Sequence, residues 1–376
     1  MIKSIALENF KCYQEKVTFP MARINILYGM NGRGKSTILQ SLLLLNQTLS
    51  EKNTISRLLL KGKTLNVGSF SDIVNRYTKA ECFGIEIADE GERVSTAYGK
   101  DENPTMATLT SLFVNNTNYF DEHSTSSGTE DGNDVENVKK TLGVIDKSTI
   151  RLLNTLERMV YVSADRMGPK EYVERKPIDN NDIGVHGENS YQVIESQGFD
   201  FAMKVQSELN FILGGASVRF SSSEDKSIIQ LYLDSVNGTE GYKPINVGFG
   251  YSYVIPVVLS VLLAAKGSAV ILENPEAHLH PAAQSRIVSF ILKYAIEKDL
   301  QIFVETHSDH VVNGIRIAVK EGQIDHNDVS ILHFERNENK KSAPGFEQIK
   351  MDKHGNLSSI PEDFMDEWTK QLLQLA

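Results

Sequence analysis

Short apolar runs alternate with longer amphipathic ones along this chain. Lys3 to Leu7 and Arg23 to Tyr28 read as strands, the second running into a glycine turn. From Lys35 toward Leu49 apolar residues recur at helical spacing, and the leucines at 42–45 make the helix apolar nearly all round, which predicts burial. Residues 82–98, with Phe83, Ile85, Ile87 and Val94, alternate as strands do. A helical stretch around Ile150 to Met159 and a strand at Ser227 to Leu233 follow. The last third is patterned most clearly. An apolar helical segment follows Tyr251, then a buried strand, Ala269 to Glu273, and a loop, Asn274 to Pro281. An amphipathic helix comes next, roughly Ala282 to Lys298, with Ile287, Phe290, Ile291 and Tyr294 on one face. A short strand, Gln301 to Glu305, ends at Thr306-His307-Ser308. Apolar strands alternating with helices imply an α/β fold whose parallel sheet is covered on both faces.

From about Asn115 to Glu136 small polar and acidic residues dominate and little could be buried, which predicts a flexible surface insertion. No internal repeat is evident. At 376 residues the chain has room for one large domain with insertions or two modest ones. No apolar run reaches the ~18–20 residues that span a bilayer; the longest, Tyr253 to Ala265, contains Pro256 and is followed by Lys266. The N-terminus lacks the apolar stretch of a secretory signal. The two cysteines, Cys12 and Cys82, fit neither a disulfide framework nor a metal-ligand spacing, and a reducing cytoplasm is the expected home. A net charge of −10 argues against a general affinity for nucleic acid. The basic clusters Lys170 to Lys176 and Arg336 to Lys341 read as solvated surface, so contact with nucleic acid would be local or supplied by a partner.

Gly29-Met-Asn-Gly-Arg-Gly-Lys-Ser36 changes the picture. It fits G-x-x-x-x-G-K-[ST] between a predicted strand and a predicted helix. Glycines let successive N–H groups turn toward phosphate oxygens, and the following helix directs its positive end at the same charge. The residues expected to hold a nucleoside triphosphate are Gly29, Asn31, Gly32, Arg33, Gly34, Lys35, Ser36 and Thr37. Lys35 would bridge the β- and γ-phosphates and the Ser36 hydroxyl would ligate Mg²⁺. Opposite it, the buried strand Val270-Ile-Leu-Glu273 delivers Glu273, and after Asn274 and Pro275 also Glu276, into a loop. A strand-end carboxylate beside a phosphate loop suits a hard oxygen-seeking cation; the alternative is that both acids merely cap the next helix.

In this order the motifs resemble small ABC-class ATPases related to RecF, SMC heads and OLD proteins. Glu273 to Pro281 looks like their Walker B segment and D-loop, Val247-Gly248-Phe-Gly250-Tyr-Ser252 like a degenerate signature loop, and Thr306-His307-Ser308 like the switch histidine. Leu7 to Lys11 resembles their first strand, and Tyr161 to Pro169 another of their segments. Asp352 to Gly355 through Trp368 resembles a small C-terminal domain of unknown function that closes one subfamily. The resemblance implies an ABC-type P-loop head, a mixed sheet flanked by helices with an insertion between its halves. Its parts would be 1–110 with the phosphate loop, 111–235, 236–335 with the signature, Walker B and switch histidine, and 336–376. It also implies an ATP-gated homodimer. The phosphate loop of one copy would face Gly248, Gly250 and Ser252 of the other, and His307 would contact the γ-phosphate or the attacking water.

The departure from the wider pattern is Asn274, which stands where a glutamate usually follows the Walker B acid and cannot take a proton. Glu276 is then the candidate general base, with Glu273 serving the metal and slow hydrolysis expected. No glutamine fits the Q-loop position; Gly68 to Asp72 is the segment expected in that region, with no role assigned. Family analogy suggests a switch for a separately encoded effector such as a nuclease, in anti-phage defence or DNA maintenance, as in Septu-like systems. About seventy residues after His307 are too few for the nuclease domain that OLD proteins carry. Rival readings are an ATP-binding scaffold with little turnover and a metal-dependent nuclease using Glu273, Glu276 and histidines. A zinc cluster of His278, His280, His307 and His310 has no known framework spacing.

Overall fold

The structure, a computed structural model, describes residues 1–119, 150–179, 181–215, 217–222, 227–234, 241–335, 345–361, 363–365 and 367–375. Most of the polar stretch expected to be an insertion, and the basic cluster from Arg336 to Lys341, lie outside the described residues.

In chain order the elements are β1 (Ser4–Glu8), β2 (Val17–Pro20), β3 (Ile24–Gly29), α1 (Lys35–Lys52), β4 (Arg57–Leu59), α2 (Phe70–Ile73), β5 (Cys82–Ala88), β6 (Arg93–Lys100), β7 (Met106–Val114) and β8 (Thr117–Asn118). Then come α3 (Arg151–Glu157), β9 (Val160–Val162), β10 (Val173–Glu174), α4 (Ser190–Ser196), α5 (Phe199–Leu213), β11 (Ser217–Ser222) and β12 (Ile228–Asp234). The last part holds α6 (Phe249–Leu263), β13 (Ala269–Glu273), α7 (Pro281–Glu297), β14 (Gln301–Thr306), α8 (Asp309–Lys320), β15 (Val329–Phe334), β16 (Phe346–Ile349) and α9 (Glu367–Leu375).

Among the described residues these strands form three sheets. The central one runs β16-β15-β3-β14-β13-β9, parallel except for β16. An antiparallel sheet of order β2-β1-β5-β6-β7-β4, with β8 on β7, covers one side, and β10-β12-β11 form a small third sheet. Side-chain alternation explains the layering. Leu27, Ile271, Phe303 and Leu332 point from the central sheet into one apolar cluster with α1 and the antiparallel sheet. Their neighbours Ile26, Val270, Leu272, Ile302, Val304 and Ile331 point the other way, into the cluster built by α6, α7 and α8. The sheet is therefore covered on both faces, and Leu42 to Leu45 of α1 are buried, as the leucine run predicts.

Two departures have local causes. Pro256 lies inside α6 without ending it; Gly187 makes room, since a Cβ there would sit 2.2 Å from the proline ring. The second concerns Gly68 to Asp72, the segment expected in the Q-loop region. It folds as a capped turn, Ser69 bonding Asp72, that packs Phe70 on Phe83. No helix among the described residues is long and apolar enough to cross a membrane.

The C-terminal piece reaches the back of the phosphate-loop strand. Phe364, fully buried, meets the Tyr28 ring edge-on at 4.8 Å and His333 at 5.3 Å, while the Tyr28 hydroxyl donates to Asp309 Oδ1 at 2.7 Å. Phe364→Ala is expected to cost about 3–5 kcal/mol in urea unfolding, the usual range for emptying a buried phenylalanine site.

Candidate nucleotide site

Parallel register brings the ends of β3, β14 and β13 to one level: Tyr28 pairs with Thr306, and Glu273 with Glu305. Lys35, Ser36, Glu273, Glu305 and His307 all lie at or just after the ends of those strands. The phosphate loop leaves β3 and closes at Gly34, whose φ of 96° is a left-handed conformation that favours glycine. A Cβ there would stand 2.4 Å from the Tyr13 hydroxyl. Tyr13, fully buried, donates that hydroxyl to the Gly34 carbonyl at 3.2 Å and so props the loop from beneath. α1 begins at once, aiming its free amides outward. Asn31 and Gly32 are exposed, Arg33 and Ser36 partly so, and Thr37 is buried in the first turn.

Lys35 is only 2% exposed. Its ammonium donates to the Gly29 and Met30 carbonyls, each at 2.7 Å, and lies 3.9 Å from Glu305 Oε1. Burial holds it below its ordinary pKa, with Glu305 pulling the other way. Ser36 Oγ donates to Glu305 Oε1 at 2.9 Å. Of the pair expected to hold a metal, Ser36 and Glu273, the hydroxyl thus bonds Glu305, while Glu273 stands on the adjacent strand. Glu305 had no role in the sequence reading, although it stands one residue from the end of β14, level with Glu273 at the end of β13. Its carboxyl is pushed up by burial; Ser36 and Lys35 oppose the shift and the charge of Glu273 adds to it. Its Oε2 is buried without a partner. Glu273 is half-buried, and its Oε2 accepts from the Ala164 amide at 3.1 Å. A hydroxyl and two strand-end carboxylates, one with an open oxygen, are hard donors of the kind Mg²⁺ takes together with phosphate oxygens.

Glu276 lies behind this pair, 7% exposed. Its Oε1 accepts from Thr306 Oγ1 at 2.5 Å and from the His307 amide at 3.4 Å, while Oε2 is buried and unpartnered. Burial raises its pKa, against those hydrogen bonds and the positive charge of Arg166. Asn274 makes the turn that brings Glu276 here: its φ is 45° and its amide donates to the Glu305 carbonyl at 2.8 Å. His307 extends past Thr306 with its ring against the phosphate loop. Burial and then Lys35 hold it below the ordinary imidazole value, opposed by a hydrogen bond with the Gly29 backbone, so it is neutral at pH 7.

Gly248 caps α6 with open space around it. A Cβ at Gly250 would meet the His278 carbonyl at 2.8 Å, so only glycine lets α6 lie against the loop after β13. Ser252 differs from the two glycines: it is 5% exposed and faces Tyr191 inside its own protomer. The four histidines do not converge. His278 packs on Tyr253 at 4.4 Å, the His280 ring accepts from the Ala282 amide, and His307 bonds at Gly29. Among the described residues no three His, Cys, Asp or Glu side chains come together to hold a metal, which removes the ground for a zinc cluster.

Comparison with known proteins gives the family and the fold. Residues 1–157 match a family model described as an AAA ATPase domain, and residues 324–375 one described as a protein of unknown function (DUF3696). Among solved structures, an SMC head bound to the C-winged helix domain of ScpA is 16% identical, with 94% of this chain and 98% of that chain covered and a TM-score of 0.55. An Smc head domain with an extended coiled coil, from Pyrococcus furiosus, bound to the C-terminal domain of ScpA, is 14% identical over 100% and 99%, with a TM-score of 0.51. At these identities the likeness shows the fold. No curated protein matches the sequence. Residues 115–313, more than half of the chain, match the model described as "AAA domain, putative AbiEii toxin, Type IV TA system", and the chain therefore belongs to this family of AAA ATPase domains, built on an SMC-head-like fold.

Proposed function

We propose that this ATPase is an ATP-gated switch: two copies close head to tail on ATP, hydrolyse it slowly, and pass their nucleotide state to a separate effector. The observation that carries the reading is the convergence of Lys35, Ser36, Glu305, Glu273, Glu276 and His307 at the ends of three registered strands. The phosphate loop and the first turn of α1 hold the triphosphate, with Lys35 turning from its two carbonyls to the β- and γ-phosphates. Ser36, Glu305 and Glu273 would hold Mg²⁺, which, when bound, offsets phosphate charge. Glu276 takes the proton of the attacking water as the water oxygen bonds the γ-phosphorus and the bond to the bridging oxygen breaks, releasing ADP. The proton then passes to the phosphate product. Neutral His307 donates to the γ-phosphate or orients the water. Gly248 and Gly250 of the second copy supply backbone N–H groups to the γ-phosphate. Ser252, facing inward, joins them only if the first turn of α6 rotates. Defence against phage or DNA maintenance, with a nuclease as effector, is the context that family resemblance favours.

Two measurements test this. With saturating ATP and Mg²⁺, Glu276→Gln is expected to lower phosphate release at least ~100-fold, in line with loss of a general base, and to accumulate an ATP-held dimer in light-scattering mass measurements. Lys35→Ala is expected to show neither turnover nor dimer. Wild-type turnover in Glu276→Gln would remove the base assignment, and absence of turnover in the wild-type chain would leave a binding scaffold. Separately, Glu305→Gln is expected to raise the Mg²⁺ concentration that half-saturates turnover by about ten-fold, as loss of a carboxylate ligand should, with Mg²⁺-free ATP binding little changed.

A further inference from the structure

Arg166 belongs to none of the motifs that bind nucleotide, yet it is among the most deeply buried charges in the protein, 2% exposed. A guanidinium so placed is costly unless its donors are used. Nη1 donates to the carbonyls of Ser163 at 3.2 Å and Glu273 at 2.8 Å, and Nη2 to the carbonyl of Asn274 at 2.5 Å. The fork therefore grips two consecutive carbonyls of the turn that leads to Glu276. On its other side the guanidinium carbon stands 5.6 Å from the centre of the Tyr253 ring, on the second turn of α6. Tyr253 in turn packs on His278, in the loop between Glu276 and α7, and Phe249 lies beside both rings. One side chain thus joins the segment after β9, the turn after β13 and the N-terminal end of α6. Three polar atoms remain open at this junction, Arg166 Nε, Asn274 Oδ1 and Glu276 Oε2, all buried.

We propose that Arg166 is a positioning residue for hydrolysis, fixing the turn that carries Glu276 and tying it through Tyr253 to the glycine end of α6. The inference rests on the reading of Glu276 as base and of Gly248 and Gly250 as the surface offered to a second copy. A second copy seated on those glycines would press on the end of α6, and the ring of Tyr253 would carry that displacement to the guanidinium and hence to the base. Charge works in the same direction. The groups facing Glu276 are Arg166 from the segment after β9, and Thr306 and the His307 amide from the end of β14. Arg166 is the cation among them and favours the ionised carboxylate, the form that accepts a proton, while burial lowers its own pKa to about 10, so it stays charged at neutral pH.

The test is steady-state ATP turnover against pH in full-length Arg166→Gln, Arg166→Lys and Tyr253→Phe, alongside Glu276→Gln, with ATP affinity and melting temperature measured for each. Arg166→Gln is expected to lower kcat about ten-fold or more with ATP affinity within ~2-fold of wild type, because a transition-state contribution is lost and a ground-state one is not. The acid limb of its kcat profile should move to higher pH, since the cation favouring ionised Glu276 is gone. Arg166→Lys keeps the charge but not the fork; its limb should stay in place while kcat remains low. Tyr253→Phe keeps the ring face and should turn over within ~2-fold of wild type. Wild-type kcat in Arg166→Gln overturns the proposal. So does joint loss of turnover, ATP affinity and melting temperature with the acid limb unmoved, which marks a residue that only holds the fold. Should Glu276→Gln turn over normally, the base reading falls instead. The link to α6 then stands if Arg166→Gln still lowers kcat with affinity intact, and falls if it does not.

Discussion

A lysine ammonium that is 2% exposed must be compensated where it lies, and the phosphate loop is built around that demand. Lys35 spends its hydrogen bonds on Gly29 and Met30 and stands 3.9 Å from Glu305. On the proposed reading a triphosphate would replace those groups: phosphate oxygens would supply the acceptors, and Glu305 would be free to serve a cation. The loop is therefore held by its own contacts, with the Tyr13 hydroxyl bonded to Gly34 from beneath. Its cost is met by burying Tyr13 and the leucines of α1, far more apolar surface than the loop itself offers.

Parallel register makes such a cluster possible. β3, β14 and β13 neighbour one another, so the residues following each strand emerge together although they come from positions near 30, 306 and 274. Their side chains alternate into two separate apolar clusters, and a slip of one residue would turn each cluster's residues toward the other. The acids at the strand ends are held at their level by the packing of both faces. Burial raises the pKa of Glu305 and repulsion from Glu273 adds to it; the pair is tolerated because strands pinned on two faces cannot slide apart.

Much of this was legible in the residues. The phosphate loop, the buried strand ending in Glu273, the helix from about 282 and the strand ending before His307 declare themselves through composition and period. Glu305 was equally legible in principle, since an apolar strand ending in an acid is the signal that singled out Glu273. What hid it was the absence of any cue that the two strands are neighbours in register. Arg166 was hidden for another reason: its importance lies in burial, and an arginine in a polar segment looks solvated until the chain folds over it. Ser252 shows the converse, because a serine in a signature-like sequence can point into its own core. Among the described residues β4 pairs with β7, and β7 with β6 and β8 as well, a pattern fixed by the antiparallel sheet as a whole. Local alternation does not specify partners.

The position of the carboxylate also bears on how turnover is restrained. Asn274 follows Glu273 directly, and both of its backbone polar groups are committed, the amide to Glu305 and the carbonyl to Arg166. Its left-handed φ of 45° suits asparagine better than a larger acid. A glutamate at 274 would have to adopt that conformation while reaching for water, so the turn itself disfavours the usual placement. Moving the acid to 276 places it under Thr306 and the His307 amide, in a buried position where burial raises its pKa and one oxygen has no partner. A base in that position is weakly available until something reorganises the turn. On the proposed reading the reorganising element is α6, and a second copy acts on it. On the same reading slow hydrolysis would follow from where the turn puts its acid, since burial under Thr306 and the His307 amide would keep Glu276 from water in a lone protomer.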